Sequence, residues 1–287
     1  MGKWVIIMMI NHNIMALNAY RNLAANYNHM ALAIERLSSG LRINRAADDP
    51  AGLAISEKMR AQIRGLEMAE KNVQDGISLI QTAEGALNET HAILQRIREL
   101  SIQAANDTYM TEGDRQAIQR EVNALLDEID AITGRTEFNS QKLLDGSFQD
   151  KKIHTGANAG QHISFSIRRM GVATLGLEEL RVDPDGTEGG LLTQEGANKA
   201  ISLLDQAINE VSKERSKLGA LQNRLEHTMN NLATTRENLI AAESRIRDAD
   251  IAKEMMNFTK YLMLTQVGQA VLAQANQIPQ GMLQLLR

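Results

Sequence analysis

The 287-residue sequence contains no cysteine, only three prolines, and only 3% aromatic residues. Without cysteine there can be no disulfide framework, thiolate nucleophile or cysteine-based metal site. Because aromatics are scarce, the core must be built from Leu, Ile, Val, Met and Ala, and the scarcity of proline favours long helices. The net charge of −4 argues against a nucleic-acid-binding surface. The composition therefore predicts a helical protein.

The sequence also lacks the motifs of common enzyme and metal sites. Its six histidines form no two-histidine helical metal motif. It has no phosphate-binding glycine loop, no dinucleotide glycine pattern and no Gly-x-Ser-x-Gly elbow. Asp48 and Asp49 indicate a helix cap and turn in preference to a fragment of a cation site. We therefore predict that the protein is not an enzyme and uses no cofactor.

Charged residues are missing from both ends of the chain. No Asp, Glu, Lys or Arg occurs from Trp4 to Tyr20 or from Tyr261 to Leu286. Chain ends are normally polar, because ordering them costs entropy that few contacts repay. The C-terminal stretch is too rich in Gln and Asn for a membrane span. Apolar ends of this kind predict burial against other copies of the chain, and hence an assembly protein.

Apolar residues near the N-terminus recur at alternating spacings of four and three, the a/d pattern of a coiled coil. We predict that this first helix pairs with the last helix of the chain. The members of this predicted terminal seam are Tyr20, Leu23, Tyr27, Met30, Ile34, Leu37 and Leu41 in the first helix and Leu264, Val267, Val271 and Ile278 in the last.

Three inner helices are predicted from rows of apolar residues seven apart or at four-three spacing. The first row runs from Leu66 to Leu94, the second from Ile118 to Ile132 and the third from Leu204 to Ile246. Half of the glycines lie between Gly134 and Gly196, where short alternating runs indicate hairpins. The predicted fold is mainly α, a long antiparallel helical bundle or coiled coil with a small β-hairpin region at about 135–195.

The segment from Gln95 to Ile102 combines charged and apolar side chains within two helical turns. It can be a mixed-charge helix face, solvated on one side and packed on the other. It can equally be an interaction strip in which arginine supplies forked donors and Leu100 or Ile102 an apolar anchor. The residues of this candidate strip are Gln95, Arg96, Ile97, Arg98, Glu99, Leu100 and Ile102.

Long motifs at both ends resemble those of bacterial flagellin, the subunit of the flagellar filament. The N-terminal motifs are Glu35–Ile55 and Gln74–Asn88, and the C-terminal ones are Ser244–Asp250 and Val271–Gln280 with the final Leu-Leu-Arg. The resemblance covers about residues 8–146 and 200–287. It implies an inner coiled-coil domain of residues 8–45 and 246–287, and a helical-bundle domain of residues 46–245. Residues 1–7 precede the usual family start and form an extra leader.

The resemblance implies a structural subunit that polymerises with itself into an extracellular filament for motility, with its terminal helices lining the central channel. Implied partners are the flagellar type III export apparatus, a secretion chaperone at the C-terminal helix, and cap and junction proteins. The alternatives are a hook–filament junction protein of the same superfamily and a non-flagellar coiled-coil scaffold. The short region between Phe148 and Glu195 implies a form without large outer domains.

The candidate strip matches a segment that contacts neighbouring subunits in many flagellins and is recognised by Toll-like receptor 5. Within this match, Arg96, Leu100 and Glu121 fall on the positions most associated with that recognition. The resemblance therefore favours the interpretation of this segment as an interaction strip, and it adds Glu121 to the strip.

Overall fold

Five α-helices and two short hairpins form the described part of the chain. The computed structural model describes residues 13–108, 111–182 and 189–285, with side chains as far as residue 278. The predicted leader, residues 1–7, therefore lies outside the described residues. The helices are α1 (Ile14–Ser39), α2 (Pro50–Ala104), α3 (Glu112–Arg135), α4 (Gln194–Arg247) and α5 (Ile251–Leu285). The strands are β1 (Glu137–Phe138), β2 (Gln141–Lys142), β3 (Lys151–His154) and β4 (His162–Phe165), and Glu178–Leu180 is a 3₁₀ helix.

The chain divides into two compact units. Within the described residues, unit 1 contains the chain up to Ala61 and again from Asn238 onward, and unit 2 is Gln62–Glu237. The long helices α2 and α4 contribute residues to both units. The sequence-based domain bounds, 8–45 with 246–287 and 46–245, stay a prediction.

Local capping explains where several helices begin and end. The side chain of Asn13 accepts a hydrogen bond from the Ala16 amide at 3.0 Å, which caps α1, and Gly40 ends that helix with a left-handed φ of 71°. Asp49 accepts from the Gly52 amide at 2.9 Å ahead of α2, as the sequence predicted. Thr111 and Asp114 form a reciprocal capping box at the start of α3.

In unit 1, α1 and α5 lie side by side and antiparallel. Asn13 at the start of α1 donates to the Ala275 carbonyl late in α5 at 2.7 Å. Arg36 near the end of α1 pairs with Glu254 near the start of α5 at 3.4 Å. The predicted pairing of the first and last helices is therefore present within one chain.

In unit 2, α2 and α4 are antiparallel and α3 folds back on α2. Glu70 early in α2 meets Arg236 late in α4 at 3.0 Å, whereas Arg98 late in α2 meets Asp205 early in α4 at 2.7 Å. Most members of the predicted apolar rows lie in the core: Leu66, Val73, Ile80, Leu87, Leu94, Val122, Ile129, Leu204, Val211, Leu218, Leu225 and Leu232 are buried. Ile132 and Ile246, at the ends of the second and third rows, are half-buried. The predicted fold class, a long antiparallel helical bundle with a small β-hairpin region, is confirmed.

The two hairpins follow α3 and belong to unit 2. Strands β1 and β2 are joined by a two-residue turn whose residues, Asn139 and Ser140, have φ of 48° and 61°. In the second hairpin, β3 pairs antiparallel with β4, and Ile153 approaches α2 at Gly76. A Cβ at Gly76 would lie 2.5 Å from the Ile153 Cδ1, so any larger residue there would require the Ile153 side chain to shift.

Candidate assembly and interaction surfaces

Unit 1 carries most of the large exposed apolar side chains of the described chain. Only Met68 and Ile102 of this set lie in unit 2. The members on α1 and α5 are Ile14, Met15, Leu17, Tyr20, Tyr27, Leu32, Ile34, Ile251, Met255, Met256, Leu262, Met263, Leu264, Val267 and Val271. Apolar surface of this extent is unusual on a self-contained protein and marks an interaction surface.

The row of α1 that packs against α5 differs from the predicted seam at every second position. Leu23, Met30 and Leu37 belong to both rows, but the other members of the packed row lie one residue earlier than predicted. The less exposed positions of α1 include Ala16, Ala19, Leu23, Asn26, Met30, Ala33 and Leu37, and the C-cap Gly40 continues this row. Of the predicted members, Tyr20, Tyr27 and Ile34 are exposed in the single chain.

Helix α5 shows the same division between a packed row and an exposed one. Its least exposed positions include Glu254, Tyr261, Thr265, Gly268, Leu272, Ala275 and Ile278. Of the predicted seam residues in α5, Ile278 belongs to this row and Leu264, Val267 and Val271 are exposed. The small residues of the packed rows were missed by sequence reasoning, although their heptad spacing is visible in the sequence.

Polar contacts fix the register of α1 against α5. The Glu254 carboxylate is buried, with 7% of the residue exposed, and its Arg36 partner lies across the interface. The His29 and Tyr261 rings stack with centroids 4.9 Å apart. Sliding either helix by one turn would leave the Glu254 charge buried without its partner, which is costly.

The connections before α2 and after α4 are joined by backbone hydrogen bonds within unit 1. The Arg42 amide donates to the Arg247 carbonyl at 2.7 Å, and the Ala249 amide donates to the Gly40 carbonyl at 2.9 Å. In the first connection the Asp48 carboxylate accepts from the Arg45 and Asn44 amides at 2.9 and 3.0 Å. These backbone hydrogen bonds lower the pKa of Asp48 below its ordinary value.

The candidate strip is centred on an exposed ion-pair cluster. Arg96 Nη2 lies 2.9 Å from Glu121 Oε1 on α3, and Arg96 Nη1 lies 3.3 Å from Glu99 Oε2 on its own helix. The hydrogen bond with Glu121, followed by that with Glu99, raises the pKa of Arg96. The structure therefore brings Arg96 and Glu121, which are 25 residues apart, into one accessible pair on the surface of unit 2.

The remaining strip residues divide between core and surface. Ile97 and Leu100 are 0% and 3% exposed and belong to the helical core, so Leu100 contributes to the packing under the strip. Ile102 is 48% exposed and is the apolar side chain of the strip that another molecule can reach. Arg98 faces α4, where it pairs with Asp205, and the Gln95 amide nitrogen lies 3.0 Å from the His91 Nε2.

No metal centre or membrane span is found in the described part of the chain. No three His, Asp or Glu side chains among these residues converge so that they could hold a metal ion. None of the described helices combines the length and apolar character needed to cross a bilayer. An open groove of about 790 Å³ in unit 2 has Asn223, Thr228 and Asn231 along its α4 wall.

Comparison with known proteins gives matches along nearly the whole chain. The family model for the bacterial flagellin N-terminal helical region matches residues 10–149, and that for the bacterial flagellin C-terminal helical region matches residues 201–286. Flagellin of Bacillus subtilis (strain 168) is 55% identical over 304 residues, covering 98% of this chain and 100% of its own length. Flagellin of Halalkalibacterium halodurans is 53% identical over 280 residues, with coverages of 98% and 100%.

A solved structure described as a flagellar hook-associated protein of Vibrio parahaemolyticus shares the fold. It superposes with a TM-score of 0.60 over 70% of this chain and 100% of its own length. Its sequence identity is 12%, so the likeness concerns the fold alone.

Proposed function

This chain belongs to the bacterial flagellin family, and we propose that it polymerises with itself into a flagellar filament through the exposed apolar sides of α1 and α5. Full-length relatives at 55% and 53% identity are flagellins, and other relatives are flagellar filament core proteins. The function is therefore structural, as a filament subunit, and the hook–filament junction alternative is not favoured.

The observation that carries this proposal is the apolar surface left open on unit 1. Tyr20 and Val267, for example, are 62% and 60% exposed although each belongs to the predicted terminal seam. Burying such side chains against neighbouring copies is favourable by about 25 cal/mol per Å² of apolar surface. The packed row holds α1 to α5 in the single chain, and we infer that the exposed row packs between chains.

The terminal helices are proposed to form the inner domain of the filament and to line its channel, with residues 8–45 and 246–287 as its bounds. The sequence from Tyr261 to Leu286 has no charged side chain but many amides. An uncharged, amide-rich wall stays wettable without trapping charged chains that pass through the channel.

Electron microscopy of the purified chain tests the assembly proposal. The chain is seeded with short filament fragments, or a precipitating salt is added, and the products are imaged. Long tubes of uniform width are expected, and their helical lattice shows whether α1 and α5 line the core. Persistent single chains or short caps would contradict the proposal and favour a junction protein.

Export to the cell exterior is proposed from family membership. The chain would leave through the flagellar type III apparatus and then add to the filament together with cap and junction proteins. Before export a secretion chaperone would cover the C-terminal helix, where Leu262, Val267 and Val271 are exposed in the free chain. Copurification of a chaperone with the full chain, lost when residues from 262 onward are deleted, would support this step.

Recognition by Toll-like receptor 5 is proposed for the surface that contains Arg96 and Glu121. The support is their accessible position, with 52% and 45% of the two side chains exposed, and the ion pair that presents them together. Ile102 is the apolar contact that the structure leaves available beside them. The same surface is proposed to contact a neighbouring subunit in the filament.

A further inference from the structure

Three methionines line one shallow groove on the exposed side of α5. Met255, Met256 and Met263 are 48%, 67% and 56% exposed, and together with Thr259 and Lys260 they enclose about 340 Å³. These positions lie on consecutive turns, on the side of α5 away from the packed row that includes Glu254 and Tyr261. Their thioether sulfurs are therefore gathered on the surface proposed to be buried on assembly.

Exposed thioethers are substrates for two-electron oxidants such as hydrogen peroxide and hypochlorous acid. With hydrogen peroxide, the sulfur lone pair attacks one peroxide oxygen, the O–O bond breaks, and an S–O bond forms. The sulfur loses two electrons, the peroxide is reduced, and the departing hydroxide takes the proton from the sulfur-bound oxygen to give water. The product is a sulfoxide, which is polar and accepts hydrogen bonds where the thioether was apolar.

The groove offers a sulfoxide little compensation for losing water. The Thr259 hydroxyl already donates to the Met255 carbonyl at 2.9 Å, so it is occupied within the helix. Among the other lining residues only Lys260 carries a donor, and its ammonium group lies 5.4 Å from the Tyr261 ring centroid. Three sulfoxides would therefore keep at least part of their polar surface unpaired when another copy covers the groove.

We propose that this methionine groove is a reversible oxidation site that controls assembly, so that a chain with Met255, Met256 and Met263 as sulfoxides stays out of the filament. The proposal rests on the proposed polymerisation through the exposed sides of α1 and α5. Reduction by methionine sulfoxide reductases, one enzyme for each sulfoxide epimer, restores the apolar groove. Assembly in turn protects the sulfurs by covering them.

Other methionines of the chain supply internal controls. Met68 is 54% exposed but lies in unit 2, so its oxidation should leave assembly unchanged. Met170 is 3% exposed and should react slowly in the folded chain. Met15 on α1 is 64% exposed, so its oxidation is quantified separately from that of the groove methionines.

The experiment compares the wild-type chain with the triple variant Met255→Leu, Met256→Leu, Met263→Leu and with Met68→Leu. Each purified chain is treated with hydrogen peroxide, the peroxide is removed, sulfoxides are mapped by mass spectrometry, and seeded polymerisation is measured. For oxidised wild type and Met68→Leu we expect the critical concentration to rise at least about tenfold. The oxidised triple variant should polymerise like its untreated form. Treatment with both methionine sulfoxide reductases should restore polymerisation of the oxidised wild type. Filaments treated after assembly should show protected Met255, Met256 and Met263.

Two results would overturn the inference. One is unchanged polymerisation of a wild-type chain whose three groove methionines are fully oxidised. The other is an equal loss in the oxidised triple variant, which would assign the effect to Met15 or another site. Failure of the untreated wild type to polymerise would instead contradict the proposed function, so the two failures are distinguishable.

Discussion

At the scale of single residues, two arginines on one helix have different partners. Arg96 pairs with Glu121 on α3, and Arg98, two residues later, pairs with Asp205 on α4. Both pairs are exposed, so neither contributes much to folding stability. Their placement matters more for the proposed recognition, because only Arg96 belongs to the pair that we propose as the receptor contact.

Replacing Arg96 with alanine should weaken Toll-like receptor 5 signalling and filament stability while leaving the fold intact. Arg98→Ala is the matched control, since it also removes one exposed interhelical ion pair of α2. We expect signalling in receptor-expressing reporter cells to fall at least about tenfold for Arg96→Ala. Equal signalling by the two variants, with unchanged circular dichroism, would remove Arg96 from the recognition surface. Leu100 is unsuitable for this test because it is buried in the core.

The lowered pKa of Asp48 predicts that unit 1 loses folding stability in acid. Hydrogen bonds from the Arg45 and Asn44 amides lower its pKa in the folded chain, so the folded state favours the charged carboxylate. The stabilisation is present above the unfolded pKa of about 4 and is lost as the pH falls through the lower folded pKa. Urea unfolding of the wild type should therefore show an additional loss of stability below about pH 4.

Asp48→Asn provides the comparison for that pH dependence. Its side-chain oxygen can still accept from the backbone amides, but it does not titrate. The free energy of unfolding of the wild type minus that of the variant should be constant from pH 7 to 5. In stronger acid this difference should decrease, because only the wild type loses its carboxylate charge. A difference that is independent of pH down to pH 2 would contradict the role assigned to this carboxylate.

At the scale of elements, the heptad rows of the inner helices could be predicted and the contact row of α1 could not. Leu66, Val73 and Ile80 are buried as expected, because an unbroken row of large apolar residues leaves one choice of inward face. In α1 the predicted row and the packed row share Leu23, Met30 and Leu37, and their other members differ by one residue. The row with Ala19 and Ala33 packs within the chain, since small side chains let two helices approach closely.

Gly268 is the position where this close approach is most sensitive. A Cβ there would lie 3.1 Å from the Leu23 Cδ1, so Gly268→Val should push α1 and α5 apart. We expect a loss of about 1–3 kcal/mol in the local stability of this pair. Hydrogen exchange of the α1 amides measures it. Gly219→Val is the matched control, because a Cβ at that helical glycine of α4 meets nothing within 4 Å.

Faster exchange in α1 should be seen for Gly268→Val and not for Gly219→Val. If both variants exchange alike, the glycine is not needed for helix approach and the packed row is more tolerant than its distances indicate.

At the scale of the whole molecule, the distribution of charge and apolar surface connects the fold to assembly. Large exposed apolar side chains are concentrated in unit 1, and charged residues are absent from the C-terminal stretch of α5. Under the proposed assembly this apolar surface is buried only on polymerisation, which would couple final folding to assembly.

A positive charge placed in α5 should slow filament growth if this helix lines the channel. The test is Gln274→Lys, since Gln274 is exposed, and the matched control is Gln103→Lys, at an exposed glutamine of α2 in unit 2. Filament length per unit time, measured by fluorescence microscopy of growing cells, is expected to fall for the first variant only. Normal growth of Gln274→Lys filaments would contradict the inferred role of the uncharged channel wall.

The sequence alone determined that the protein is a helical bundle with hairpins in the middle, and its long motifs identified the family. Periodicity and motif length carry that information because apolar rows and caps are local along the chain. Only the tertiary structure decided which of two overlapping rows packs α1 on α5 and that Leu100 belongs to the core. It also decided that Arg96 meets Glu121 across two helices. Those outcomes depend on side-chain size and distance between segments far apart in sequence, which no local pattern specifies.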